Sequence, residues 1–276
     1  MRIVADSSCD LYTLKDADFR IVPLTIYTDE KSFVDDPSLN ITEMLDYLEN
    51  YHDRSYTSCP SVDSWLCAFN GAEEIFVLTV TSALSGSYNS ALNAAEMYRE
   101  DHPEVKISII DSLSTGAEEA LILQKLSELI RSGQDFETID KKIRNYQKHT
   151  RLFFSFISLH NLTQNGRINK TVAAALSILK ISVTGTANSE GKISVTGKVR
   201  GEKKVLQTLI EEMKKAGYRG GRAIITHVEN SEAAVRLKEY VQREFADAIV
   251  DILPARGLCS YYMERKGIVI SCETGM

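Results

Sequence analysis

A turn rich in hydroxyl groups lies between an apolar run that begins at Glu74 and a helix-forming segment that begins at Ala91. It contains Ser85, Gly86 and Ser87. Serine hydroxyls, together with backbone N–H groups and the positive end of a helix dipole, can bind an anion. Gly86 has no side chain and lets the backbone approach a ligand closely. The turn therefore indicates an anion-binding site, although helix capping by serine explains the same residues equally well.

The turn does not match the common nucleotide or nucleophile motifs. No Gly-Lys-Ser or Gly-Lys-Thr follows it, as a phosphate loop requires, and Gly86 has no partner glycines at the spacing of a dinucleotide fingerprint. It is also not a Gly-x-Ser-x-Gly nucleophile elbow. The sequence therefore predicts no cofactor.

Two other predicted strands end in residues of the same kind. Asp6-Ser7-Ser8 follows the strand at 2–5, and the polar segment 111–115 follows the strand at 105–110. Because the carboxyl ends of parallel strands meet at one edge of an α/β sheet, the three clusters should converge there. The converging groups are hydroxyls and amides without an evident base, which favours anion binding over catalysis.

The order of the predicted elements indicates the fold class, α/β. Strands alternate with helices in the first half, as in a doubly wound parallel sheet with helices on both faces. In the second half, strands at 180–186 and 192–199 form a hairpin among helices, which indicates a two-layer α+β domain with a mixed sheet. We therefore predict two domains, 1–150 and 151–276.

Several segments carry more local predictions. Residues 20–27 form one predicted strand around Pro23, which suggests an edge strand or the start of a strand. Residues 29–40 are predicted as a loop and residues 162–169 as a polar turn. The helix predicted at 117–131 is amphipathic, and the Ala- and Leu-rich segment 171–179 is predicted to be short and buried.

Composition limits the class of protein. The chain has 276 residues, 43% of them hydrophobic, which is enough for a full core. A net charge of -6 argues against a nucleic-acid binder. The five cysteines form no CxxC pair, so neither a disulfide framework nor a metal site is predicted. No signal peptide or membrane-spanning run is visible, and we expect a cytoplasmic protein.

Several motifs, taken together, resemble the DegV family of bacterial fatty-acid-binding proteins. The resemblance runs almost from end to end, and it rests on Asp6-Ser7-Ser8, Val22-Pro23-Leu24, Thr57-Ser58-Cys59-Pro60-Ser61, Leu84-Ser85-Gly86-Ser87-Tyr88-Asn89-Ser90-Ala91, Asp111-Ser112 with Gly116, Gly166-Arg167-Ile168, Lys198-Val199-Arg200-Gly201 and His227. The Thr-Ser-x-Pro-Ser and Leu-Ser-Gly-Ser/Thr-Tyr motifs, in this order and spacing, are quite specific.

The resemblance implies a long-chain fatty acid in a tunnel between two α/β domains, with the second domain closing the lipid site. It implies that the two specific motifs hold the carboxylate, and that the arginine of Gly-Arg-Ile faces the entrance or a partner. The predicted ligand-binding residues are Thr57, Ser58, Ser85, Gly86, Ser87 and Arg167. Some family members present the bound acid to a separate ATP-dependent kinase, so a fatty-acid kinase is a possible partner.

One stretch departs from the family pattern. The family's C-terminal segment, similar to His-Thr-Gly-Pro-Gly, has a histidine that approaches the carboxylate. Its counterpart here is predicted to be Met263-Glu264-Arg265-Lys266-Gly267, in which Met263 cannot donate a hydrogen bond. Two outcomes are open. Arg265 or Lys266 turns inward and replaces the histidine, as arginine can bind a carboxylate with two hydrogen bonds, or both cations stay in solvent. We expect the second outcome, because charged side chains are rarely buried.

Three functions are open on the residues alone. The leading one is a non-enzymatic fatty-acid carrier. A hydrolase or acyltransferase with Ser85 as its nucleophile would need a base within hydrogen-bond reach, for which the sequence offers His227. A binder of another small anion, such as a phosphorylated metabolite, would have a short polar cavity instead of a long apolar tunnel.

Overall fold

The computed structural model describes residues 1–169 and 181–275, which form three sheets surrounded by helices. The strands are β1 (Arg2–Asp6), β2 (Asp18–Val22), β3 (Thr25–Tyr27), β4 (Ser32–Val34), β5 (Tyr56–Ser58), β6 (Glu74–Thr79), β7 (Lys106–Asp111), β8 (Thr150–Phe156), β9 (Ile181–Ala187), β10 (Ile193–Arg200), β11 (Gly221–His227), β12 (Ala248–Pro254) and β13 (Ile268–Glu273). The helices are α1 (Ile41–Asn50), α2 (Val62–Phe69), α3 (Ser87–Asp101), α4 (Ala117–Arg131), α5 (Phe136–Gln147), α6 (His160–Gln164), α7 (Glu202–Lys215), α8 (Ser231–Glu244) and α9 (Gly257–Met263).

The first sheet is parallel, with the strand order β2-β1-β6-β7, and helices cover both of its faces. Side chains of a strand point alternately to opposite faces. In β6, Ile75 and Val77 pack with α2 and α3, whereas Phe76 and Leu78 belong to the core that contains α4. These contacts confirm the predicted doubly wound arrangement.

The second sheet is mixed, as predicted, and has the strand order β10-β9-β8-β13-β11-β12. Helices α7 and α8 cover one face, and α4 from the first half of the chain packs against the other. Helix α4 thus lies between the two large sheets, and every residue from Ala117 to Leu123 is buried. One continuous hydrophobic core therefore joins the two halves of the chain.

The predicted strand at 20–27 is divided into the edge strand β2 and the separate strand β3, because the chain leaves the parallel sheet at Pro23. Proline has no N–H group with which to continue a strand ladder. The following amide, that of Leu24, donates to Ser7 Oγ at 3.0 Å instead. Strand β3 then forms a small antiparallel sheet, of order β4-β3-β5, and β4 lies within the predicted loop at 29–40. Three-residue strands are too short to show an alternating pattern.

Other local predictions were also incomplete. The predicted polar turn at 162–169 overlaps α6, and the segment 257–273, for which the sequence pattern predicts no element, contains α9 and β13. The prediction for 171–179 falls outside the described residues. Within 1–169 and 181–275, no helix is both long enough and apolar enough to cross a membrane.

Candidate functional site

An apolar cavity lies between the carboxyl edge of the parallel sheet and one face of the mixed sheet. Its empty space, including the solvent at its open mouth, is about 920 Å³. Alternate residues of β8, namely Leu152, Phe154 and Phe156, build one wall because they point to the same face of the sheet. Val269 of the neighbouring strand β13 extends this wall. The wall can accommodate an alkyl chain.

Polar side chains from three separate segments meet at the same cavity. Thr57 Oγ1 and Tyr262 OH are hydrogen-bonded at 2.7 Å. Arg167 Nε donates to the carbonyl oxygen of Leu84 at 3.0 Å, next to Ser85. Burial raises the pKa of Tyr262, so its phenol keeps its proton and can donate. Hydroxyl donors beside a guanidinium are suited to holding a carboxylate.

Three of the six predicted ligand-binding residues lie in the cavity wall, namely Thr57, Ser85 and Arg167. The other three are placed beside it. Ser58 is half-buried in β5, and Gly86 is exposed, where an added Cβ would lie 3.2 Å from Cys59 Sγ. Ser87 is fully buried, and its hydroxyl donates to Asp6 Oδ2 at 2.5 Å. Ser87 therefore has a partner within the protein.

Asp6 attaches both ends of the loop 80–87 to strand β1. Its Oδ2 atom accepts from the amide of Val80 at 3.0 Å and from the hydroxyl of Ser87 at 2.5 Å. Asp111 supports the same loop, since its Oδ1 atom accepts from the amide of Ser82 at 3.1 Å. The three polar strand ends thus converge as predicted, and their carboxylates position the segment that carries Ser85.

Sequence reasoning missed the contribution of the C-terminal helix α9. Leu258, Cys259 and Tyr262 line the cavity. A strand-to-helix junction was the signal that could have found it. Helix α9 follows β12, which runs parallel to β11. The carboxylate of Asp35 already accepts from the first amides of α9, those of Gly257 at 2.7 Å and Leu258 at 2.9 Å.

The stretch that was predicted to replace the family's histidine segment divides between cavity and surface. Met263 lines the cavity, whereas Arg265 and Lys266 point away from it. Neither cation turns towards the cavity, but Arg265 is less solvated than expected, because its side chain is only 29% exposed. Three carboxylates pair with it, those of Asp46, Glu49 and Glu229.

His227, the base that the sequence offers for Ser85, already has a hydrogen-bond partner in the described part of the chain. His227 Nδ1 accepts from the amide of Asn230 at 3.2 Å, and burial lowers the pKa of His227. In the described residues, no three His, Cys, Asp or Glu side chains are grouped so as to hold a metal ion. The five cysteines are free thiols.

Comparisons with known proteins agree over nearly the whole chain. The family model described as "Uncharacterised protein, DegV family" matches residues 1–273. A DegV domain-containing protein of Streptococcus gordonii is 42% identical over 278 residues, which are 99% of each protein. A solved DegV family protein from Eubacterium eligens, loaded with heptadecanoic acid, is 49% identical, with a TM-score of 0.98 and 100% of both chains covered. The solved Streptococcus pneumoniae Fatty Acid Kinase (Fak) B3 protein, loaded with linoleic acid, is 41% identical, with a TM-score of 0.96 and 99% of both chains covered.

Proposed function

This chain belongs to the DegV family, and we propose that it binds a long-chain fatty acid in the cavity between its two large sheets. The observation that carries the proposal is the pairing of a long apolar wall with a hydroxyl- and guanidinium-lined segment in one cavity. The fatty acids bound to the Eubacterium eligens and Streptococcus pneumoniae proteins support it.

The alkyl chain supplies most of the affinity in this proposal. Each buried methylene contributes ~0.8 kcal/mol, so about ten of them contribute roughly 8 kcal/mol before the cost of ordering the ligand. A dissociation constant in the micromolar range or below is therefore expected. The polar groups chiefly fix which end of the ligand faces the Ser85 loop.

The carboxylate lies, in this proposal, among the hydroxyls of Thr57, Ser85 and Tyr262, with the Arg167 guanidinium nearby. The backbone of Ser58 and Gly86 completes the head-group site. Residues 1–150 supply most of these groups, and residues 151–276 supply the apolar wall that closes the cavity. Support comes from the contacts of Thr57 with Tyr262 and of Arg167 with the loop carbonyl.

The two competing functions are less well supported. A hydrolase or acyltransferase would need a base at Ser85, but His227 accepts a hydrogen bond from a backbone amide instead. A small phosphorylated ligand would leave the walls formed by Phe154 and Phe156 without apolar contacts.

We extend the proposal to a partner and a location. The similarity to the Fatty Acid Kinase (Fak) B3 protein supports presentation of the bound carboxylate to a separate fatty-acid kinase. Such a kinase consumes ATP, so we propose that the protein acts in the cytoplasm, as expected from the sequence.

Native mass spectrometry of the protein purified from bacteria tests the central proposal. We expect an added mass equal to that of a long-chain fatty acid, and we expect organic extraction to release this acid. Well-folded protein that releases no fatty acid and also fails to bind added palmitate or oleate would refute the proposal.

Arg265→Ala is expected to change the dissociation constant for oleate by less than about twofold, because Arg265 points away from the cavity. Its ion pairs are at the surface, where such pairs contribute about 0–1 kcal/mol to stability, so the melting temperature should fall slightly. Arg167→Ala is the matched variant, since it removes the arginine that lines the cavity. Titration calorimetry should show weaker binding for Arg167→Ala alone. A large loss of oleate affinity in Arg265→Ala would contradict this placement of the head group.

A further inference from the structure

Glu119 is an acid in the interior that forms no ion pair within residues 1–169 and 181–275. It lies in α4, between the two large sheets, and is fully buried. Its Oε1 atom is 2.6 Å from Ser8 Oγ, and its Oε2 atom has no hydrogen-bond partner. An ionised carboxylate in such a place would be costly, because it is shielded from solvent and no ion pair with a described residue stabilises it.

A count of protons at Ser8 shows which form Glu119 takes. Ser8 Oγ is 2.5 Å from Asp6 Oδ1 and 2.6 Å from Glu119 Oε1, and both are hydrogen-bond distances for O–H···O. A serine hydroxyl has a single proton and can donate only once. The second short contact therefore needs a proton that is carried by one of the two carboxyl groups.

The hydrogen bonds around the two acids assign that proton. Asp6 accepts from the amides of Ser8 and Val80 and from the hydroxyls of Ser8 and Ser87. Burial raises the pKa of Asp6, but these four hydrogen bonds lower it, so they favour the charged form of Asp6 over that of Glu119. Glu119 has its contact with Ser8 as its one hydrogen bond in the described part of the chain. The proton therefore belongs on Glu119, which donates to Ser8, while Ser8 donates to Asp6.

The groups around Glu119 also favour its protonated form. Burial raises the pKa of Glu119 well above its usual value, the negative charges of Asp6, Asp10 and Asp111 raise it further, and the Ser8 contact lowers it. The nearby thiols of Cys9 and Cys259 bring no charge, because burial raises the pKa of each well above its usual value.

We infer that Glu119 is a neutral carboxylic acid and a positioning residue for the head-group site. It donates its proton to Ser8, Ser8 donates to Asp6, and Asp6 holds both ends of the loop that carries Ser85. Glu119 itself does not touch the ligand. The positioning role rests on the proposed function, because it assumes that this loop binds a fatty-acid carboxylate.

Infrared spectroscopy of the wild type and Glu119→Gln at neutral pH tests the protonation. The expected difference spectrum shows the carbonyl stretch of a protonated carboxylic acid that is present in the wild type and missing from the variant. A difference spectrum with carboxylate bands alone would overturn the inference. This measurement needs no ligand, so it decides the state of Glu119 even if the protein binds no fatty acid.

Affinity for oleate tests the positioning role. Glutamine keeps a neutral donor for Ser8, so Glu119→Gln should stay within about twofold of the wild type, whereas Glu119→Met keeps the length and removes the donor and should bind about five- to tenfold more weakly. Melting curves show whether each variant is folded. Equal losses in the two variants, or no loss in Glu119→Met, would overturn the positioning role. If Glu119→Met does not fold, retained affinity in Glu119→Gln supports the role and lost affinity overturns it.

Discussion

Ser85→Ala is expected to weaken palmitate binding by about 5- to 150-fold, since a buried carboxylate that loses a hydroxyl partner loses roughly 1–3 kcal/mol. Ser85 Oγ accepts from the amide of Ser87 at 3.2 Å, which leaves the hydroxyl proton of Ser85 available for a ligand. Titration calorimetry on delipidated protein measures the change.

Ser61→Ala is the matched control for this variant. Ser61 caps α2, and its Oγ atom accepts from the amide of Ser64 at 3.2 Å. Loss of this cap should lower stability by about 1 kcal/mol and leave the affinity for palmitate unchanged. If Ser85→Ala behaved like Ser61→Ala, with a lower melting temperature and unchanged affinity, Ser85 would be a helix cap and not a ligand-binding residue.

Ala187→Trp is expected to weaken stearate binding about a hundredfold. Ala187 lies at the end of β9, lines the cavity and is only half-buried, so the backbone can accept a larger side chain there. An indole in the cavity should displace three or four methylenes, and at ~0.8 kcal/mol each this amounts to roughly 3 kcal/mol. Laurate has a shorter chain and should lose much less affinity.

The dependence on chain length separates blocking of the cavity from general damage. Ala246→Trp, at an exposed position before β12, is the control and should bind both acids as the wild type does. Equal losses of stearate and laurate affinity in Ala187→Trp would mean that the alkyl chain does not pass Ala187. Competition with a fluorescent fatty acid allows both ligands to be measured in one assay.

The parts of the site that depend on local sequence could be predicted from it. The Ser85 turn was recognisable because a buried strand, a hydroxyl-rich turn and a helix follow one another directly. Contacts between distant segments could not be predicted in this way. Thr57 meets Tyr262 across 205 positions, because the packing of separate elements brings them together.

The burial of α4 was the main feature that the pattern concealed. An amphipathic sequence normally predicts one face in solvent, and Glu118 and Glu119 would be assigned to that face. Both acids are instead buried, because a second sheet covers the side of the helix that the first leaves open. Hydroxyls stabilise these acids locally: Thr150 Oγ1 donates to Glu118 at 2.6 Å. The hydrophobic periodicity of one sequence does not predict hydrogen bonds between distant residues such as Thr150 and Glu118.

The position of α4 also limits how a bound molecule can leave. Separating the two halves of the chain would expose one side of this helix and the core shared by Leu121, Phe154 and Val269. Each of these side chains contributes about 1.5–3 kcal/mol when it is fully buried, so a state in which the halves are hinged apart would be rare. Exchange of the ligand should therefore proceed through small, local movements at the mouth of the cavity, while the two sheets unfold together as one cooperative unit.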